Sequence, residues 1–101
     1  MKDLLFTKAS MQDLEGIYDY IALDNVESAN KLIKKFQKCW QLIADKPSLG
    51  SKRNKFIKGL QSITEGNYVI FYRKNLNNIE IIRILHGARD IEKIFKTLET
   101  L

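Results

Sequence analysis

Asn67-Tyr-Val-Ile-Phe-Tyr-Arg73, then Lys74-Asn-Leu-Asn-Asn78, then Ile79-Glu-Ile-Ile-Arg-Ile-Leu85 carry the strongest β pattern in the chain. Its two outer runs are dense in β-branched and aromatic side chains, which suit a pleated, packed surface. The asparagine-rich link between them reads as a hairpin loop, so the two runs are antiparallel strands. Both faces of these strands are largely apolar. The sheet is therefore expected to be covered on one side and only partly open on the other.

Upstream, residues 60–64 read as a further strand and residues 3–7, Asp-Leu-Leu-Phe-Thr, as a short one. From Ser10 to Leu23 the apolar residues Met11, Leu14, Ile17, Tyr18 and Ile21 recur at helical spacing, with Asp13, Glu15 and Asp19 off that stripe. Asp24-Asn25 breaks the chain and can cap the next segment. Val26 to Asp45 is the clearest helix: Ala29, Ile33, Phe36, Cys39, Trp40 and Ile43 share an arc of roughly 120°. The two helices, joined by a short connection, are expected to form an antiparallel pair. Lys46-Pro47 stops the second helix, because proline cannot donate and restricts the residue before it. Asp90 caps a last helical segment with Ile91, Ile94, Phe95, Leu98 and Leu101 at helical intervals. The order is β-α-α-β-β-β-α. This is an α/β fold of the α+β kind, a helical hairpin packed on a mostly antiparallel sheet, with residues 1–101 as one domain.

The chain's 45% hydrophobic and 29% charged residues are those of an ordinary globule rather than a disordered segment. No apolar run approaches the roughly 18 residues of a membrane span, and Met1 to Phe6 is too short and too acidic for a secretory signal. Cys39 is alone, so there is no internal disulfide, and a reducing cytoplasm is the expected compartment. One cysteine and one histidine make a dedicated zinc site improbable, and no cofactor or metal is expected.

Charge is unevenly placed. Residues 1–30 hold two basic and six acidic side chains (net −4), residues 31–58 hold nine basic and one acidic (net +8), and residues 59–101 stand at +1. A basic band of this kind suits an acidic partner, whether nucleic acid, nucleoprotein or an acidic protein segment; a solvated lysine face is the plainer account. Lys31, Lys34, Lys35 and Lys38 lie opposite the apolar arc of the second helix. Leu42 on that lysine side, and Tyr20 off the stripe of the first helix, are exposed contact candidates.

Tyr68-Val-Ile-Phe-Tyr72 followed by Ile81-Ile-Arg-Ile-Leu-His-Gly-Ala-Arg-Asp90 resembles the C-terminal signature of ParE toxins. Upstream, Asp13-Leu-Glu-Gly-Ile-Tyr-Asp-Tyr-Ile21 and Asp45-Lys-Pro-Ser-Leu-Gly50 resemble that family's first helix and its proline-glycine connection. The resemblance implies a compact toxin of the RelE/ParE superfamily, held inactive by a co-expressed, helical and partly acidic antitoxin. Plasmid stabilisation belongs to the same picture, and a homodimer is compatible with it. ParE toxins are taken to act on DNA gyrase, whereas their RelE relatives cut messenger RNA on the ribosome. A shared fold does not separate the two activities, so the site must.

RNA cleavage through the 2′-hydroxyl needs a base, an acid and cations for the phosphorane charge. Against the RelE pattern, Thr64 stands where an arginine is expected, Phe95 lacks the hydroxyl of a late tyrosine, and Arg89 alone matches. A nuclease would therefore have to be built on Arg73, Arg83, His86 and Arg89. The resemblance favours instead a non-enzymatic toxin in which Arg83, His86 and Arg89 contact the target, arginine being a favoured interface anchor. Each residue also has a structural account. His86 can bond the turn at Gly87 or a neighbouring backbone group, and Arg83 can pair with Glu80 or Asp90. Gly87 is expected to supply a backbone angle that a β-carbon would forbid.

Overall fold

The computed structural model describes the backbone of residues 3–99 and the side chains of residues 3–96. Strand β1 (Asp3–Phe6) leads into helices α1 (Lys8–Asp24) and α2 (Val26–Asp45), then a 3-10 turn at Pro47–Leu49. Strands β2 (Ser51–Lys52), β3 (Leu60–Glu65), β4 (Tyr68–Lys74) and β5 (Asn78–His86) follow, and helix α3 (Ile91–Glu99) closes the described chain. The expected order holds with one addition: β2, two residues of Ser-Lys, has no β-propensity of its own and exists only by pairing with Gln61 and Ser62.

The sheet runs β1-β5-β4-β3-β2, antiparallel except where β1 lies parallel to β5. Thr7 ties the helical hairpin to this frame, and Asn25 joins its two helices. Thr7 Oγ1 accepts from the Ser10 N–H (3.0 Å) to cap α1 and donates to Ile82 O on β5 (2.8 Å). Asn25 serves both helices: its N–H closes α1 on Ile21 O (2.9 Å), and its Oδ1 caps α2 at the Ser28 N–H (3.0 Å).

The two faces of the sheet carry separate cores. Phe36, Cys39 and Ile43 of α2 meet Ile70, Tyr72, Ile79, Ile81 and Ile84, with Leu14, Ile17 and Trp40 packed against them. Trp40 stacks on Phe36 and meets the edge of Phe6, so it belongs to this core and is not a free platform for bases. The opposite face, expected to be partly open, is closed by α3 and the 53–59 loop. Phe95 packs on Phe71 (4.7 Å between centroids) and Phe56 (5.2 Å), over Leu60 and Leu85. Asp90 Oδ1 caps α3 at the Lys93 N–H as expected. The side chains of Leu98 and Leu101, assigned to the apolar face of α3 from sequence, lie outside the described residues.

Helix α1 departs from its expected stripe. Met11 is exposed, whereas Asp13 faces the sheet. Its only fully buried residue is Ser10, whose hydroxyl donates back to Thr7 O (2.8 Å). A carboxylate has displaced a hydrophobe at the centre of the face because an arginine waits for it on β5.

The Tyr72 hydroxyl locks the exit from α2. It accepts from the Gly50 N–H (2.8 Å) and donates to Pro47 O (2.7 Å). A β-carbon on Gly50 would fall 2.8 Å from Tyr72 Cε1, so only glycine fits there. Burial pushes the Tyr72 pKa up, and burial with nearby Glu65 pushes up that of Cys39. The folded state thus keeps protons that the unfolded chain releases. The stability this contributes is complete below the ordinary values, about 9 for the thiol and about 10 for the phenol, and is lost as pH rises through the raised ones. In a Cys39→Ala background, Tyr72→Phe should flatten the fall of Tm above pH about 10. An unchanged alkaline limb would refute this role for the phenol.

Candidate functional site

At the His86 end of the sheet, α1 and the strand ends enclose a groove of about 600 Å³, lined by Gln12, Asp13, Gly16, Ile17 and Tyr20 on one side and Tyr68, Ile84, His86 and Arg89 on the other. Its wall is held by an ion pair. Asp13 accepts from Arg83 Nε (2.7 Å), Arg83 NH2 (2.8 Å) and the Ile84 backbone N–H (3.0 Å). The two side chains are 10% and 16% exposed, too little for solvent to stand in for either partner. These hydrogen bonds raise the Arg83 pKa further, so the guanidinium stays charged. The partner expected for Arg83 was Glu80 or Asp90. Instead, Glu80 pairs with Arg73 at 3.2 Å and Asp90 caps α3. Sequence distance conceals the true partner, since Asp13 lies 70 residues away.

His86 is exposed at the strand end, and its Nδ1 accepts from the Ala88 N–H at 3.1 Å. This is the backbone tie that its structural account foresaw, and in a neutral ring it places the remaining proton on Nε2. The Tyr68 ring stands edge-on to His86 (5.4 Å) and to Phe36 (5.8 Å), so the core fixes the floor of the groove. Gly87 has no unusual φ, contrary to expectation. It is a place of close approach, where a β-carbon would lie 3.4 Å from Asn67 O. Arg89 is exposed at the rim, in the turn closed by its N–H on His86 O (3.0 Å).

Gly16 is the feature that sequence reading passed over. It lies inside a 17-residue helix, where glycine costs up to about 1 kcal/mol relative to alanine. Among the described residues nothing calls for it: a β-carbon there would meet no atom within 4 Å outside its own stretch of helix. The space it leaves open is the groove.

The nuclease set does not converge. His86 pairs with Tyr68 while Arg73 lies opposite Glu80, which puts them six β5 positions, or about 20 Å, apart. Arg83 is committed to Asp13, which leaves His86 and Arg89 in the groove. Thr64 lies on β3, two strands away from β5, and is uncharged, and Phe95 is buried in the second core. Of the candidate partner contacts, Tyr20 is 76% exposed and shares the groove with His86 and Arg89. Lys31, Lys34, Lys35, Lys38 and Leu42 are exposed together on α2, on a different surface. Among the described residues no cluster of side chains suits a metal ion, and no helix is long and apolar enough to cross a membrane.

A family model described as "ParE toxin of type II toxin-antitoxin system, parDE" matches residues 4–91. Among solved structures, a chain of the "Chromosomal ParDE TA system from P. aeruginosa" superposes with a TM-score of 0.71 at 25% identity, over 85% of this chain and 96% of that one. No curated protein gives a significant match.

Proposed function

The chain belongs to the ParE toxin family, and from that premise we propose that it inhibits DNA gyrase by binding and is neutralised by a cognate antitoxin. The observation that carries the binding reading is the composition of the groove. Two tyrosines, an arginine and a histidine surround a helical glycine with open space above it. Tyrosine and arginine are the residues on which protein interfaces concentrate their energy. A glycine without an internal reason suits a partner whose atoms come close to the α1 backbone. Catalysis would ask for a base, an acid and phosphate-neutralising cations together, and two of the three arginines that might serve, Arg73 and Arg83, are held by Glu80 and Asp13, leaving Arg89 alone beside His86.

The deciding experiment places two assays side by side on toxin freed of antitoxin. Supercoiling by purified gyrase should be inhibited, and ribosome-bound messenger RNA should stay intact. His86→Gln, which keeps a hydrogen-bonding side chain of similar reach, should reduce inhibition less than Arg89→Ala does. Site-specific cleavage of messenger RNA in the ribosomal A site, abolished by His86→Gln, would replace this reading with the nuclease one.

A further inference from the structure

The sheet ends on β2, and β2 is too short to cover its neighbour. It pairs with Gln61 and Ser62 only, while β3 continues to Glu65. Glu65 lies opposite Tyr68 across a two-residue turn, with Gly66 at a φ of 58°. In such a hairpin Glu65 and Ile63 bond inward to β4, and the alternate residues face outward. The outward phase is seen at Leu60, whose carbonyl accepts from the Arg53 N–H at 2.7 Å. By the same alternation the N–H and C=O of Thr64 face away from β4, past the end of β2. Beside this edge runs a second groove of about 490 Å³, with Lys38 and Leu42 of α2, Leu49 and Arg53 in its lining. Leu42 and Leu49 are 45% and 51% exposed. Natural sheets usually blunt an open edge; this one has apolar side chains and cations next to it.

We propose that this groove seats an extended acidic segment of the antitoxin, which adds to β3 at Thr64 and continues the sheet where β2 stops. The inference rests on the reading of the chain as the toxin of a pair. Charge selects the occupant: residues 31–58 carry nine basic side chains against one acidic, and Lys38 and Arg53 line the groove itself. A strand has a period of two, so a segment paired at Thr64 can set apolar side chains over Leu42 and Leu49 and turn its acids to the cations. A nucleic-acid backbone would answer the charge but leave the strand edge and both leucines unused.

The test uses the antitoxin encoded beside this chain. Wild-type complex formation is measured first, followed by amide exchange at Thr64 and then the affinity of Thr64→Pro. Proline is tolerated at a sheet edge where the lost N–H pairs with nothing internal, so the variant should fold. Its affinity for antitoxin should fall at least about tenfold, and the wild-type Thr64 amide should exchange more slowly in the complex. Should the proline variant not fold, the wild-type exchange and a Leu42→Glu variant, also expected to bind more weakly, carry the test. An unprotected Thr64 amide in a formed complex, or undiminished binding by these variants, overturns the proposal while leaving the toxin–antitoxin reading standing. Protection of Thr64 by duplex DNA or RNA and not by antitoxin overturns it in favour of nucleic acid. Failure of the wild-type chain to bind the antitoxin at all overturns both, and that result precedes any variant.

Discussion

Arg83→Ala is expected to cost about 3–5 kcal/mol of folding stability, a large part of the roughly 5–15 kcal/mol that holds a domain together. The guanidinium gives Asp13 two of its three hydrogen bonds, at 2.7 and 2.8 Å, and the carboxylate is 10% exposed. Truncating the arginine leaves that charge buried without a counterion, and α1 must shift to hydrate it. Removing both charges should be milder. The double variant Asp13→Leu with Arg83→Leu replaces the pair by apolar volume and should recover much of the loss. Urea melts of the four proteins in the cycle measure the coupling. A single variant within about 1 kcal/mol of wild type would mean that the pair does not hold α1 to the sheet. Reduced gyrase inhibition by Arg83→Ala would therefore not identify a contact residue, because the groove wall itself depends on this arginine. Arg89, exposed at the rim, is the sounder probe.

Gly16→Gln should separate stability from activity by moving them in opposite directions. Glutamine is a good helix former and the site has no atom within 4 Å of a new β-carbon, so the variant should gain up to about 1 kcal/mol. The same side chain would project into the space between Tyr20 and His86. If that space receives the target, inhibition of gyrase should fall by about a hundredfold, the scale of a central interface position. A variant that is more stable and still fully inhibitory would place the target elsewhere. Loss of both would mean that Gly16 is needed by the fold, against the empty space around it.

Much of the architecture was legible because single elements bury single faces. Helix α2 was read from Val26 to Asp45, the bounds it has, since one apolar arc faces one core. The β4–β5 hairpin was equally plain. Failures occurred where a residue answers to something distant. Asp13 reads as a solvated helical acid until Arg83 is brought to it across the fold. The second core was hidden because Phe56, Phe71 and Phe95 come from a loop, a strand and a helix that share no periodicity. Of the residues lining the candidate groove, His86 and Arg89 were singled out from their motif as target contacts, and Tyr20, off the stripe of α1, as an antitoxin contact. Tyr68 was read only as part of a strand. Gly16 gave no usable signal, since an absent side chain has no pattern.

The parallel pairing of β1 with β5 sets a timetable for synthesis. Asp3 faces Asn78, and the Thr7 hydroxyl that caps α1 reaches Ile82 O, a separation of 75 residues in each case. The first strand can find no place until the last strand has left the ribosome, and loop closure over such a span is slow. The Asp13–Arg83 wall of the groove waits for the same moment. A nascent chain therefore has neither a finished sheet nor a finished groove until β5 has been translated. The delay is written into the order of the strands.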